Sequence, residues 1–123
     1  QFIFPTTTPT QFEPDEMRKS ILRLLSFRPA AIYLTHYGRL LDVQGHAQAL
    51  LRHLDVLVEL ALKERLTGVC RHQRIKESMT EYLLQEIRNH GCSLSEACLI
   101  EIWETDIELN TQGLCVWLDS YEN

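Results

Sequence analysis

No proline occurs after position 29: the chain's four prolines stand at 5, 9, 14 and 29, and residues 30 to 123 contain none. Proline lacks an amide proton and its ring clashes with the preceding helical turn, so long helices are excluded from the first quarter and permitted everywhere after it. The apolar pattern divides at nearly the same place. Beyond Gly38 and Gly45 it is helical to the end of the chain.

Three helices are predicted there. Over 46–66, Ala47, Leu50, Leu54, Leu57 and Ala61 form one stripe, with Gln48, Arg52, Asp55, Glu59 and Lys63 opposite. Over 72–90, Ile75, Met79, Tyr82, Leu83 and Ile87 recur at helical spacing, and Gly91 stands where a glycine ends a helix. Ser93 and Glu96 have the spacing of a capping box, and Trp103, Ile107, Asn110, Leu114, Trp117 and Tyr121 then advance by fours and threes, predicting one helix over 94–121. Gly113 is its weak point: either another backbone packs there or the helix breaks.

The first 45 residues read differently. Phe2-Ile3-Phe4 is a strand end, closed by Pro5 and the Thr6 to Thr10 loop. Pro14 followed by Asp15 and Glu16 starts a helix over 14–27. Pro29 ends it, and Ala30 to Thr35 is an apolar run without alternation, as expected of a strand covered on both faces. Strand, helix and buried strand predict a βαβ unit. The expected fold is therefore α/β but mostly helical, with a βαβ piece over 1–45 and a three-helix piece over 46–123.

Charge follows the same division. Residues 1 to 76 carry +4 and residues 77 to 123 carry −9, an acidic half that argues against nucleic acid as partner. No apolar run approaches the roughly 20 residues that cross a bilayer, and no basic-then-apolar leader opens the sequence, so no membrane partner and a cytoplasmic location are expected. Cys70, Cys92, Cys98 and Cys115 lack framework spacing and are expected as reduced thiols. The opening Gln1 and the strand-like residues directly after it give the expectation of a piece cut from a longer chain.

Thr35-His36-Tyr37-Gly38 follows the predicted buried strand, which sets His36 at the strand edge where α/β sheets place ligands. A neutral imidazole there is either a metal ligand or a hydrogen-bonded structural residue. The order Phe4-Pro5-Thr6-Thr7-Thr8-Pro9, Gln11-Phe12-Glu13-Pro14, helix, Ile32-Tyr33-Leu34-Thr35-His36-Tyr37-Gly38 resembles the closing segment of a metallo-β-lactamase-fold hydrolase. The tail, with Asp106 to Leu114 and Val116-Trp117-Leu118, resembles the helical extension of some branches of that family. The resemblance implies a partial βαβ unit of an αβ/βα sandwich, His36 as a ligand of a zinc or other divalent metal in the intact protein, and a small-molecule substrate.

The family's His-x-His-x-Asp-His run does not occur in these 123 residues. A catalytic zinc takes about three protein ligands. The chain alone is therefore expected to bind no metal tightly and to hydrolyse nothing. Cys70-x-His72 and His90-x-Cys92 do not make a substitute, because a helix of some 18 residues, about 27 Å long, separates the pairs. His46 and His53, seven apart, read as solvated surface residues, and the acidic run Glu96 to Glu108 as a solvated helix face. Trp103 and Trp117 read as core or as anchors of a subunit contact.

Three functions follow: the C-terminal portion of a metal-dependent hydrolase, a helical interaction or oligomerisation module in which His36 is incidental, or an unrelated α/β domain. Two short strands with open edges are not stable alone. The expected state is a homo-oligomer, most simply a twofold dimer through the helices, or association with the missing N-terminal half.

Overall fold

The computed structural model describes residues 4–5, 12–34, 38–40 and 42–121. Helix α1, Pro14–Ser26, forms where predicted, with Pro14 in its first turn and Asp15 and Glu16 at the positive end of its dipole. Two three-residue strands follow, β1 (Ile32–Leu34) and β2 (Gly38–Leu40). Helix α2 covers Val43–Lys63, and a single 3-10 turn, Gly68–Cys70, leads into α3, Arg71–Asn89. The last helix, α4, covers Glu96–Tyr121.

The predicted βαβ unit is not formed, and the α/β class is corrected to a mostly helical fold. β1 pairs with β2 in antiparallel register, Ile32 opposite Leu40, Tyr33 opposite Arg39 and Leu34 opposite Gly38. An antiparallel partner three residues along the chain is reached by a short loop, whereas a parallel partner requires a long crossover. Phe4, expected as the end of a first strand, lies outside any strand and is buried among the helices. Residues 2 and 3 lie outside the described residues.

The three C-terminal helices follow the sequence pattern with local changes. α2 starts at Val43 rather than 46 because Asp42 caps it, Oδ1 accepting the Gly45 amide at 3.2 Å. A Cβ on Gly45 would collide with that carboxylate, so the cap and the glycine belong together. α3 ends as predicted: Gly91 has φ +103, its amide bonds Arg88 O at 2.9 Å, and the Cys92 amide bonds Ile87 O at 3.3 Å. This is the double hydrogen bond of a Schellman cap. The cap of α4 is Ser95, whose Oγ accepts the Cys98 amide at 3.2 Å, rather than the predicted Ser93. α4 runs without a break through Gly113, which is buried.

One apolar core results. Leu54, Leu57 and Ala61 of α2, Ile75, Met79 and Leu83 of α3, and Ile107, Leu114 and Leu118 of α4 are almost wholly shielded, and Phe4 and Phe12 join the same cluster. Burying each such Leu, Ile or Met side chain contributes about 1.5–3 kcal/mol. Trp117 meets Phe12 edge-on, with ring centres 6.2 Å apart, while Trp103 is partly covered. Bridges at the helix margins, Arg71 to Asp119 at 2.8 Å and His72 to Glu108 at 2.9 Å, are partly exposed and contribute at most about 1 kcal/mol each.

Candidate functional site

The most elaborate polar arrangement among the described residues lies under Phe4, where α2 and α3 face each other. His53 is 3% exposed. The expectation of a solvated surface histidine is therefore corrected. It lies three residues after Leu50 and four before Leu57, on the inward stripe, and that helical position was the signal for its burial. Its Nδ1 is 2.6 Å from the Tyr82 hydroxyl, and its ring centre is 5.3 Å from that of Phe4. Tyr82 also bonds the Glu86 carboxylate, which takes Arg52 Nη1 at 2.6 Å.

Each group is tuned by its neighbours. Burial, and then the Arg52 charge, lower the His53 pKa below the ordinary imidazole value, with Glu86 opposing. Burial, followed by the bond to Glu86, pushes the Tyr82 hydroxyl well above the ordinary phenol range. Burial would raise the Glu86 carboxyl, but hydrogen bonds from Arg52 and Tyr82 bring it below its usual value. The phenol has one proton and an ionised carboxylate only accepts, so the network assigns the Tyr82 proton to Glu86 and makes the His53 Nδ1–H the donor to the phenol oxygen.

Above this cluster Phe4 is 5% exposed, and the Pro5 carbonyl accepts the Asn110 amide of α4 at 3.2 Å. Three helices thus converge on two residues of the N-terminal segment. The pairing of Phe4 with His53 and of Pro5 with Asn110, 49 and 105 positions away, has no local sequence signal.

The residues singled out in the sequence do not gather. His36 and the Thr6 to Thr10 loop lie outside the described residues. His46 uses its Nδ1 on Asp42 O at 2.7 Å. His72 and His90 stand at opposite ends of α3, so the two Cys/His pairs do not meet. Among the described residues no group of three His, Cys, Asp or Glu is placed to hold a metal ion. A zinc needs about three such donors, and the described residues do not fit one. All four cysteines are free thiols; burial raises the Cys115 thiol above its ordinary range despite Arg71 beside it, the reverse of an activated nucleophile.

An open cleft of about 480 Å³ lies between the end of α1 and the start of α2, lined by Leu25, Arg28, Pro29, Val43 and Gln44. Among the described residues lining it there is no acid–base pair. Among the described residues no helix is long and apolar enough to cross a membrane. Compared with protein-family models, curated proteins and solved structures, the chain matches none.

Proposed function

We propose that the chain is the C-terminal portion of a metal-dependent hydrolase of the metallo-β-lactamase superfamily, acting on a small-molecule substrate, with His36 as one ligand of a zinc or other divalent metal. The reading stands on the order of residues from Phe4 to Gly38, and the βαβ unit that the resemblance implies is not formed. The structural observation that carries it is α1. That helix buries only Pro14, while Leu22, Leu24 and Phe27 are 50%, 53% and 70% exposed. Apolar side chains left open over the C-terminal half of a helix are what a further layer of protein covers.

The test reads the gene on the upstream side of the Gln1 codon. A His-x-His-x-Asp-His run is expected there, and its absence overturns the reading. In that longer protein His36→Ala is expected to lower metal content and activity while the helical circular dichroism is kept; unchanged metal content overturns the ligand role. The present chain alone is expected to give only weak, nonstoichiometric heats with zinc.

A second reading, a helical oligomerisation module, is favoured by Ile102, Leu109 and Val116, which are exposed on α4 at intervals of seven residues. Light scattering separates the two. A dimer that Leu109→Glu dissociates supports the module, and a monomer unaffected by that change removes it.

A further inference from the structure

Two exposed apolar faces of the chain carry opposite charge. On α1, Leu24 and Phe27 are 53% and 70% exposed and stand between Arg23 and Arg28, and residues 17–28 hold four Lys or Arg and no Asp or Glu. On α4, Ile102 and Leu109 are 57% and 38% exposed and stand beside Glu101 and Asp106, on a helix with six carboxylates and no Lys, Arg or His. We propose, on the reading of the chain as an oligomerisation module, that its partner is a second copy: the C-terminal half of α1 in each copy docks on the outer face of α4 in the other.

The placement of these charges follows from helical spacing. Asp106, four residues after Ile102 and three before Leu109, lies beside both, and Glu101 precedes Ile102 on the other flank. Arg23, four residues before Phe27, lies beside it, and Arg28 follows at the turn that closes α1. All four charged residues are exposed, and among the described residues none of them enters an ion pair. Their neighbours are engaged: Arg18 is tied to Asp55, Lys19 to Glu16, and Glu108 to His72 and Lys76. Within one chain the two faces do not cover each other, since both are open.

Charge decides which helix meets which. Pairing α4 with α4 of a second copy would set carboxylates against carboxylates with no cation on either helix. Pairing the C-terminal halves of two α1 helices would do the same with cations. The α1-to-α4 arrangement opposes the signs while it covers both apolar faces. A twofold axis makes two such contacts at once and closes the pair. With few apolar side chains in each contact the association is weak and concentration-dependent, and the charges set its register more than its affinity. At the low concentrations of a denaturation experiment the chains are separate.

The test is sedimentation equilibrium on the chain as it stands, over a dilution series reaching submillimolar concentration. The wild type is expected to associate reversibly to a dimer. Two charge-reversed variants follow, Arg23→Glu with Arg28→Glu, and Glu101→Lys with Asp106→Lys. Each alone is expected to raise the dissociation constant at least about tenfold, with helical circular dichroism kept. Mixed in equal amounts, the two are expected to associate as the wild type does, because an acidic α1 then faces a basic α4 in one contact and the original signs stand in the other. A monomeric wild type overturns the pairing together with the oligomerisation reading. A dimer that survives the α1 reversal shows α4 on α4, and one that survives the α4 reversal shows α1 on α1; either overturns the pairing and leaves the oligomerisation reading standing. Two monomeric variants that do not associate on mixing overturn it as well. Should a double change unfold the chain, Arg23→Glu and Asp106→Lys singly provide the same three measurements.

Discussion

α1 and α4 both carry apolar residues at helical spacing, 5 of 13 residues in α1 and 14 of 26 in α4, and these end in opposite conditions. On α4 the residues Leu99, Ile107, Leu114 and Leu118 are buried against α2 and α3, whereas on α1 the aliphatic and aromatic residues remain at least partly open. The difference lies in what faces each helix. α4 has two long antecedent helices to complete a core, and α1 has chiefly the flank of α2, to which Arg18 is tied through Asp55. Apolar periodicity therefore identifies a helix and its inward face, but the surface that receives that face is a separate property of the chain. Among the described residues it is supplied to the inward stripe of α4, and on the outer side of α1 it is left open.

The largest effect that sharpens this contrast is a pair of truncations. Leu114→Ala, at a fully buried site, is expected to cost about 2–5 kcal/mol by urea denaturation. Leu24→Ala, at a site 53% exposed, is expected to change stability by no more than about 0.5 kcal/mol. Equal costs would show that α1 is covered in solution and would break the comparison. In a longer protein that adds a layer over α1, the cost of Leu24→Ala rises toward that of Leu114→Ala.

Next in size is the attachment of the N-terminal segment to the tail. Asn110→Ala leaves the Pro5 carbonyl without its amide, and a buried acceptor so stranded costs about 1–3 kcal/mol. The variant should also loosen the Phe4 contacts at neutral pH, which hydrogen exchange of the Phe4 amide measures. A neutral effect on both readouts would mean that the Asn110 amide does not hold the segment in solution.

How far the sequence discloses this arrangement depends on the range of the interaction. α2, α3 and α4 are legible because each side chain's face follows from its neighbours three and four positions away. His53 was legible by the same rule, from Leu50 and Leu57, but the seven-residue spacing to His46 directs attention to a surface pair. Ser93 and Ser95 both satisfy a cap pattern, and only the backbone turn selects Ser95. The run from Ala30 to Thr35 fits a strand covered on both faces and a strand of a hairpin equally well, because an apolar run carries no record of its partner's direction. Phe4 is the extreme case. Its place beside His53 and Tyr82 depends on residues 49 and 78 positions along the chain, and nothing local distinguishes a strand residue from a plug. The metal-site expectation rests on His36, which lies outside the described residues, so the legible part of that site is a strand ending at Leu34.

The smallest effects separate the ends of α1 and α3, which both place a residue in the left-handed region but bond differently, since Pro29 has no amide to make the second bond that Cys92 makes. After α3 the left-handed position is Gly91, φ +103; after α1 it is Arg28, φ +47, whose amide bonds Leu25 O at 2.9 Å. A side chain in this region costs about 1–2 kcal/mol, while glycine's larger freedom in the unfolded chain costs about 0.5–1 kcal/mol in return. Gly91→Ala should therefore destabilise by about 1 kcal/mol, since both capping hydrogen bonds depend on the turn. Arg28→Gly should stabilise by somewhat less, about 0.5 kcal/mol, because Pro29 already restricts the unfolded chain at this point and Arg28 is exposed, so little packing is lost. Thermal denaturation of the two variants gives opposite signs if both turns are held as described. A loss of stability in Arg28→Gly would show that the Arg28 side chain contributes to the folded state in solution despite its exposed position.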